Sequence, residues 1–307
     1  MMTRTKLGKR PMSFTLALGL MVGLWLPGVV AHATDTLAKI RDKQTITIAH
    51  REASIPFSYL DQNGKPVGYA VDLCLKVAEA VRRELKLSHL KVDFLAVSTT
   101  TRIPAIAEGK ADLECGSTTN NAERRKQVAF TIPHFIAAVR MAVRANSGIH
   151  SWSNLRDKRV VTTKGTTTVK LLNDRDKVRA LNLTLLEGRD HDDSFAMVER
   201  GEAEAFTMDD ALLYGLRASA KNPDAFVIVG DLLSAEPYAI MLPRDDPAFK
   251  TVVDREMARI IHDGEFVALY DKWFKSPLPS KNMMNMNMPM SHLLRDTLRF
   301  PTDKVGD

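Results

Sequence analysis

The chain has 307 residues, of which 45% are apolar and 26% charged, and its formal net charge is +6. This composition is that of an ordinary globular protein, and it excludes collagen-like, low-complexity and intrinsically disordered chains. The length predicts about two domains, each large enough to bury its own core.

The first 33 residues have the pattern of a secretory signal peptide. Basic residues come first, the run 14–30 is almost wholly apolar, and Ala31-His32-Ala33 resembles a cleavage site. The alternative is an uncleaved membrane anchor, but the apolar run is shorter than the roughly 20 residues that span a bilayer. Cleavage would remove four basic and no acidic side chains, which lowers the formal net charge from +6 to +2. So small an excess argues against a protein that binds nucleic acid through a broad basic field.

Strands and helices alternate in the first part of the remaining chain. Strands are expected where apolar residues alternate with polar ones, and helices where apolar residues recur at three- and four-residue spacings. The predicted elements are strands at 45–48, 91–97 and 112–115 and helices at 71–85 and 102–108.

The same alternation recurs in the second part of the chain. Strands are predicted at 159–163, 183–186, 204–208 and 226–229, and helices at 167–176, 193–201 and 210–219. Strands that alternate with helices indicate βαβ units and parallel sheets. Because the chain passes through this pattern twice, two α/β lobes are favoured over one large sheet.

Two mostly apolar stretches, 139–143 and 238–242, are predicted to cross between the lobes. Helices predicted at 247–262 and 265–274 then return to the first lobe. The expected organisation is a signal peptide at 1–33, a discontinuous first lobe at 34–138 plus 236–307, and a continuous second lobe at 139–235.

The two cysteines are Cys74 and Cys115. Export would permit a disulfide between them, but Cys74 lies on the apolar face of a predicted helix, which favours two buried thiols. No cysteine or histidine spacing matches a zinc site, so neither a metal nor a cofactor is expected. The tail from Ser276 is rich in methionine, a pattern more typical of adaptable packing than of a copper(I) site.

A hydroxyl-rich loop follows the strand predicted at 112–115 and precedes a helix. Free backbone N–H groups and the helix dipole favour an anion at such a place. Ser117 and Thr119 add neutral donors, and Arg124 adds a two-pronged guanidinium that suits a carboxylate. Asn120 and Glu123 resemble a capping box. The alternative is a capping loop beside a solvated arginine.

The second lobe has a similar loop, Gly165-Thr166-Thr167-Thr168, which lacks the pattern of a nucleotide-binding P-loop. Asp209 ends a strand and can accept an ammonium group, while Asp210 is a candidate helix N-cap. His191 is a candidate general base for Ser117, but no G-x-S-x-G motif surrounds that serine, so an enzyme is the weaker interpretation.

Together these segments resemble the periplasmic amino-acid-binding proteins of ABC importers (solute-binding protein family 3), most closely the branch that binds glutamate and aspartate. The resemblance covers residues 36–290 and rests on His50-Arg51-Glu52, Pro56-Phe57-Ser58-Tyr59, 114–121 with Glu123-Arg124, Gly165-Thr166-Thr167, His191 with Asp193-Ser194-Phe195, 208–213, 271–275 and Lys281-Asn282. It implies the type II periplasmic-binding-protein fold, an α/β architecture of two lobes joined by two hinge strands with the ligand in the cleft between them.

The resemblance also implies a ligand site. Arg124 matches the arginine that holds the ligand α-carboxylate, and Asp209 matches the carboxylate that takes the α-ammonium. The remaining implied positions are Arg51, Arg102 and His191 for an acidic side chain and Ser117, Thr119 and Thr167 for supporting hydroxyl and amide donors. Thr99 stands where the family has a serine contact.

The charges of this implied site favour an acidic ligand. Three arginines against Asp209 match a ligand with two negative charges and one positive, since buried charges need partners. The resemblance therefore implies a periplasmic protein that captures glutamate or aspartate, performs no catalysis and delivers its ligand to a membrane permease, and a monomer is expected. The alternatives are a neutral ligand such as glutamine or asparagine, with acids or water balancing the arginines, and an enzyme or sensor of the same fold.

Overall fold

A computed structural model of the chain describes residues 1–3, 35–278 and 285–306. The predicted signal peptide lies outside the described residues except for its first three. No helix of the described ranges is long and apolar enough to cross a membrane.

Fifteen strands are present in the described residues. In chain order they are β1 (Thr45–His50), β2 (Ala53–Ser54), β3 (Ser58–Leu60), β4 (Pro66–Val67), β5 (Lys91–Ala96), β6 (Leu113–Cys115), β7 (Val128–Phe130), β8 (Phe135–Ala137), β9 (Val139–Arg144), β10 (Arg159–Thr163), β11 (Thr184–Gly188), β12 (Ala205–Asp209), β13 (Phe226–Val229), β14 (Glu236–Tyr238) and β15 (Met241–Pro243).

The described α-helices alternate with these strands. They are α1 (Thr36–Lys43), α2 (Tyr69–Glu84), α3 (Arg102–Ala107), α4 (Ala122–Arg125), α5 (Thr167–Arg179), α6 (His191–Glu199), α7 (Asp210–Ser219), α8 (Pro247–His262), α9 (Glu265–Tyr270) and α10 (His292–Arg299). Short 3₁₀ turns lie at Trp152–Leu155 and Pro223–Ala225, and a π-helical turn at Asp271–Lys275 continues α9.

Two five-stranded mixed sheets form the centres of two lobes. The first sheet has the order β5-β1-β6-β15-β7, in which β5, β1 and β6 are parallel and β15 runs antiparallel to its neighbours. The second has the order β11-β10-β12-β9-β13, in which β9 is the antiparallel strand. The predicted two-lobe α/β fold is therefore confirmed. Parallel strands place their carboxyl ends at one edge of a sheet, where α/β proteins bind ligands.

A separate two-stranded antiparallel sheet joins the lobes. Phe135 of β8 pairs with Tyr238 of β14, and Ala137 pairs with Glu236. The crossings predicted at 139–143 and 238–242 are wrong in position. The first stretch belongs to β9 and the end of the second to β15, inside the two main sheets, and the crossing strands are β8 and β14. Apolar runs mark strands buried within a sheet, whereas the hinge strand Glu236–Tyr238 includes a carboxylate and a proline. The exact lobe boundaries stay a prediction.

Most other predicted elements agree with the structure to within a few residues. The strand at 226–229 and the helices at 210–219 and 247–262 have the predicted bounds. The predicted capping box is wrong, because Asn121 rather than Asn120 caps α4 and accepts a hydrogen bond from the Arg124 amide at 3.0 Å.

An aromatic cluster anchors the hinge to the first lobe. The ring of Phe57 lies 4.9 Å from that of Phe135 and 5.1 Å from that of Tyr238, and Phe135 stacks on Phe274 at 5.0 Å. Each such pair adds about 0.5–1.5 kcal/mol beyond its buried area. The start of α2 approaches the same region closely, because a Cβ at Gly68 would lie 2.3 Å from the Phe57 carbonyl oxygen. The hinge strands are thus fixed on the first-lobe side.

The described part of the methionine-rich tail packs on the first lobe. Met286, Met288 and Met290 are partly buried against the core, as adaptable packing predicts, while Met283 and Met284 lie outside the described residues. Further on, the Asp303 carboxylate contacts the Lys250 ammonium at 2.9 Å.

Cys74 of α2 and Cys115 at the end of β6 form a disulfide. The expectation of two buried free thiols is therefore wrong, although both residues are fully buried as that expectation required. Because Cys115 directly precedes the loop that begins at Gly116, the bridge ties this loop to α2.

We predict that the double substitution Cys74→Ala with Cys115→Ala lowers the free energy of unfolding by about 4 kcal/mol, since the bridge spans 41 residues of sequence and its loss enlarges the unfolded ensemble. Denaturant unfolding of both proteins measures this difference. Two reactive thiols in the unreduced, unfolded wild type would contradict the bridge.

We also predict that acid destabilises the fold through His134. This residue is fully buried against Phe57 and Tyr69, neither ring nitrogen has a hydrogen-bond partner among the described residues, and burial lowers its pKa to about 3. Between that pKa and about 6.5 the unfolded chain binds a proton that folded His134 does not bind. The contribution of His134 to stability is therefore largest above pH 6.5 and falls as the pH falls, with a limiting slope of about 1.4 kcal/mol per pH unit.

Denaturant unfolding at a series of pH values measures this slope. His134→Phe is expected to reduce the slope by up to about 1.4 kcal/mol per pH unit, whereas the control His89→Phe, at an exposed position, leaves it unchanged. An identical slope in wild type and His134→Phe would contradict the prediction.

Candidate functional site

A narrow cavity lies between the two lobes, where β6 and β12 end, and of its 210 Å³ of non-atom space only about 10 Å³ admits the centre of a water molecule. Its lining residues are Arg102, Ser117, Thr119, Arg124, Thr166, Thr167, His191, Met208, Asp209 and Leu212. Seven of the eight site residues predicted from the sequence line this cavity, and Arg51 does not. The sequence did not single out Thr166, Met208 or Leu212 as ligand contacts.

Arg124 lies in the first-lobe wall of the cavity and is 7% exposed. Its Nη1 donates a hydrogen bond to the Thr119 carbonyl oxygen at 2.9 Å, which fixes the guanidinium in the cavity wall that Ser117 and Thr119 also line. Burial lowers the Arg124 pKa, and nearby carboxylates, with Glu236 foremost, oppose that shift. The result is a charged, two-pronged donor next to neutral donors.

Arg102 lies behind the same loop and is held by a buried chain of hydrogen bonds. Its Nη1 donates to the Thr118 hydroxyl at 2.7 Å and to the Ser117 carbonyl at 3.2 Å. The Thr118 hydroxyl in turn donates to Glu114 Oε2 at 2.9 Å. Burial, together with Arg124, lowers the pKa of Arg102 to about 9, and burial raises the pKa of Glu114. Arg102 Nε is buried with no acceptor among the described residues.

Asp209 ends β12 in the second-lobe wall. One carboxylate oxygen accepts a hydrogen bond from the Tyr238 hydroxyl, and the other, Oδ1, is buried with no partner in the described part of the chain. Burial and the neighbouring Glu236 carboxylate raise the Asp209 pKa to about 8. A cation placed against Oδ1 would reverse this shift, so the site is suited to an ammonium group.

His191 begins α6 and faces the cavity from the second lobe. Its Nδ1 lies 2.9 Å from the Thr163 hydroxyl, and burial together with Arg51 lowers its pKa to about 3, which keeps the imidazole neutral. The Ser117 hydroxyl donates to Ser54 Oγ at 3.4 Å. The structure therefore places His191 and Ser117 in separate hydrogen-bond pairs, which does not favour the serine–histidine enzyme.

Arg51 bridges the lobes beside the cavity. It is fully buried at the end of β1, and its Nη2 donates to Asp190 Oδ1 at 2.5 Å. Asp190 also accepts from the backbone N–H of His191 at 2.7 Å and so caps α6. Arg51 Nε and Nη1 are buried with no acceptor among the residues described. The contact between Arg51 and a ligand side chain stays a prediction.

Further contacts hold the two lobes together around the cavity. The Thr99 hydroxyl donates to the Lys164 carbonyl at 2.6 Å, and the Thr167 hydroxyl donates to Glu236 Oε2 at 3.0 Å. At Gly165, where φ is +75°, a Cβ would lie 2.8 Å from Thr100 Cγ2. The described structure is thus the closed arrangement of the lobes.

The charge balance of the site differs from the sequence expectation. Asp190 pairs with Arg51, Glu114 stabilises the charge of Arg102, and Glu236 stabilises that of Arg124. The lining itself holds Arg102 and Arg124 against Asp209 alone, so the expected excess of guanidinium is present in the cavity wall, but the carboxylates of Asp190, Glu114 and Glu236 outside the lining offset it. The sequence indicates Asp209 alone, because no local pattern links Arg51 to Asp190, 139 residues away.

Comparison with known proteins agrees with this geometry. Residues 46–276 match the bacterial extracellular solute-binding proteins, family 3. The chain is 46% identical to the L-glutamate/L-aspartate-binding protein of Pseudomonas aeruginosa over 92% of this chain and 93% of that protein. It is 42% identical to the glutamate/aspartate import solute-binding protein of Escherichia coli over 97% of this chain and 98% of that protein.

Solved structures share the fold at lower identity. An ancestral arginine-binding protein bound to arginine matches with a TM-score of 0.68 at 26% identity, over 75% of this chain and 98% of that one. The solute receptor for L-cysteine of Neisseria gonorrhoeae matches with a TM-score of 0.69 at 26% identity, over 82% of this chain and 98% of that one. Two lobes around a small polar cavity, the family match and the near-full-length relatives lead to one conclusion: the chain belongs to the bacterial extracellular solute-binding proteins of family 3.

Proposed function

We propose that this protein captures L-glutamate or L-aspartate in the periplasm and delivers it to the membrane permease of an ABC importer. The observation that carries the proposal is the identity of 46% and 42% to near-full-length relatives named for these two amino acids. In the same proposal the signal peptide is cleaved after Ala33 and the mature protein acts as a monomer without chemistry or cofactor.

The cavity supports binding of the amino-acid backbone. Arg124, beside the Ser117 and Thr119 hydroxyls, offers a bidentate donor to an α-carboxylate. Across the cavity, the partnerless oxygen of Asp209 offers an acceptor to an α-ammonium. These opposite charges on opposite walls orient a zwitterion, because the reversed orientation would place like charges together.

In this proposal, the selectivity for a ligand with an acidic side chain comes from N–H donors of the site that lack an acceptor, rather than from the net charge of the site. Arg102 Nε, Arg51 Nε and Arg51 Nη1 are buried N–H groups with no acceptor among the described residues. A ligand carboxylate offers two acceptor oxygens, whereas an amide offers one and adds a donor. Leaving a buried donor unpaired costs about 1–3 kcal/mol. Each N–H group that glutamine leaves unpaired therefore favours glutamate by about 5- to 150-fold in affinity.

Lobe closure follows from contacts that exist only when the lobes meet. The Arg51–Asp190 and Thr99–Lys164 contacts join residues from the two sides of the cavity. A ligand that binds both walls stabilises this closed form over an open one by its differential affinity. The closed lobes then present a single surface to the permease.

We predict that Arg124→Ala weakens binding of L-glutamate at least about 100-fold, because it removes a buried charge-assisted pair. Isothermal titration calorimetry measures the affinity. The matched control is Arg41→Ala, which removes the same charge at an exposed position and is expected to bind like the wild type. Equal affinities of wild type and Arg124→Ala would overturn this role of Arg124.

We predict that Arg51→Ala and Arg102→Ala each narrow the ratio of glutamine to glutamate dissociation constants by about tenfold, since each removes donors that only a carboxylate satisfies. Titration of each variant with both amino acids gives the ratio. If both variants discriminate as sharply as the wild type, the side-chain pocket is elsewhere.

A further inference from the structure

A second polar cavity lies on the second lobe, between the turn Trp152–Leu155 and the C-terminal half of α5. It holds about 740 Å³ of empty space, part of it open to solvent, and shares no lining residue with the interlobe cavity. Thr167, which lines the interlobe cavity, lies eight residues before Arg175 on α5, a separation of about 12 Å along the helix axis. This cavity is therefore a separate feature of the molecule.

Three arginines line the cavity: Arg156, Arg175 and Arg179. The guanidinium of Arg175 lies over the Trp152 ring, 5.1 Å from the ring centre. Among the described residues, its buried Nε has no hydrogen-bond acceptor and its guanidinium has no ion pair. Burial and the neighbouring Arg179 guanidinium both lower the Arg175 pKa. Arg175 thus lacks the negative partner that a partly buried charge requires.

The rest of the lining holds this arginine in place without neutralising it. Arg156 donates to the backbone carbonyls of Arg179 and Ala180 at the end of α5, so its side chain stays beside the cavity. The Trp152 indole N–H donates to the Asp231 carbonyl at 2.9 Å, which fixes the ring under Arg175. The Asp231 carboxylate is the one acidic side chain among the described lining residues, so the cavity has an excess of two positive charges.

We propose that this cavity binds a small free oxyanion that bears phosphate or carboxylate groups, held by the Arg175 guanidinium over the Trp152 ring. The two terminal nitrogens of a planar guanidinium match two oxygens of such an anion. Arg179 supplies the second charge from the exposed rim. Ser151 Oγ donates to Asn154 Oδ1 at 3.0 Å, so the Ser153 hydroxyl, 2.9 Å from Ser151 Oγ, is the neutral donor of the lining. The proposal is independent of the ligand of the interlobe cavity.

Calorimetric titration of the full chain with inorganic phosphate and with citrate, at constant ionic strength, tests the proposal. We expect saturable binding of at least one of the two, weakened at least about tenfold by Arg175→Ala and unchanged by Arg41→Ala, which removes one exposed positive charge elsewhere. Arg175→Lys keeps the positive charge but loses the planar, two-pronged guanidinium, so its affinity for the anion is expected to lie between those of Arg175→Ala and the wild type. Absence of saturable binding of either anion would overturn the proposal.

Two further variants keep the outcome unambiguous. Arg179→Ala alters an exposed side chain, so it reports on the cavity even if Arg175→Ala fails to fold, and we expect it to weaken anion binding several-fold. If Arg124→Ala abolishes anion binding while Arg175→Ala leaves it intact, the anion occupies the interlobe cavity and the proposal is wrong.

Discussion

The structure depends on how three arginines are accommodated between two lobes. Arg51, Arg102 and Arg124 are each at most 7% exposed, and an unpaired buried charge costs several kcal/mol. Each is therefore held by a carboxylate or by carbonyl and hydroxyl oxygens, and some of their N–H groups still lack an acceptor among the described residues. A small ligand that brings carboxylate oxygens completes this arrangement.

The fold brings the residues that bear these charges to the cavity between the lobes. The carboxyl ends of β6 and β12 meet at the cavity, and the β8–β14 pair lets one chain enter and leave the second lobe beside it. The Cys74–Cys115 disulfide and the aromatic cluster around Phe57 stiffen the first-lobe side. Rigid lobes on a two-stranded hinge suit a protein whose task is to close around its ligand.

Local patterns predicted the elements well, because burial of one face imposes a period on the sequence. Seven of the eight site residues that the resemblance implies line one cavity. Their motifs follow strand ends, and the topology of α/β sheets brings the carboxyl ends of the strands together. The Asn120 cap was an error of one position. The other failures, the Cys74–Cys115 bridge and the Asp190 carboxylate that pairs with Arg51, depended on residues distant along the chain. No periodicity reports a partner that is distant along the chain.

The central claim is that an acidic amino acid holds the two lobes closed by completing the hydrogen bonds of these arginines. The radius of gyration of the protein in solution, measured by small-angle X-ray scattering with and without L-glutamate, tests it most directly. The account predicts a smaller radius with saturating L-glutamate than without ligand, and little change with an equal concentration of L-glutamine. An identical radius with and without L-glutamate would contradict it.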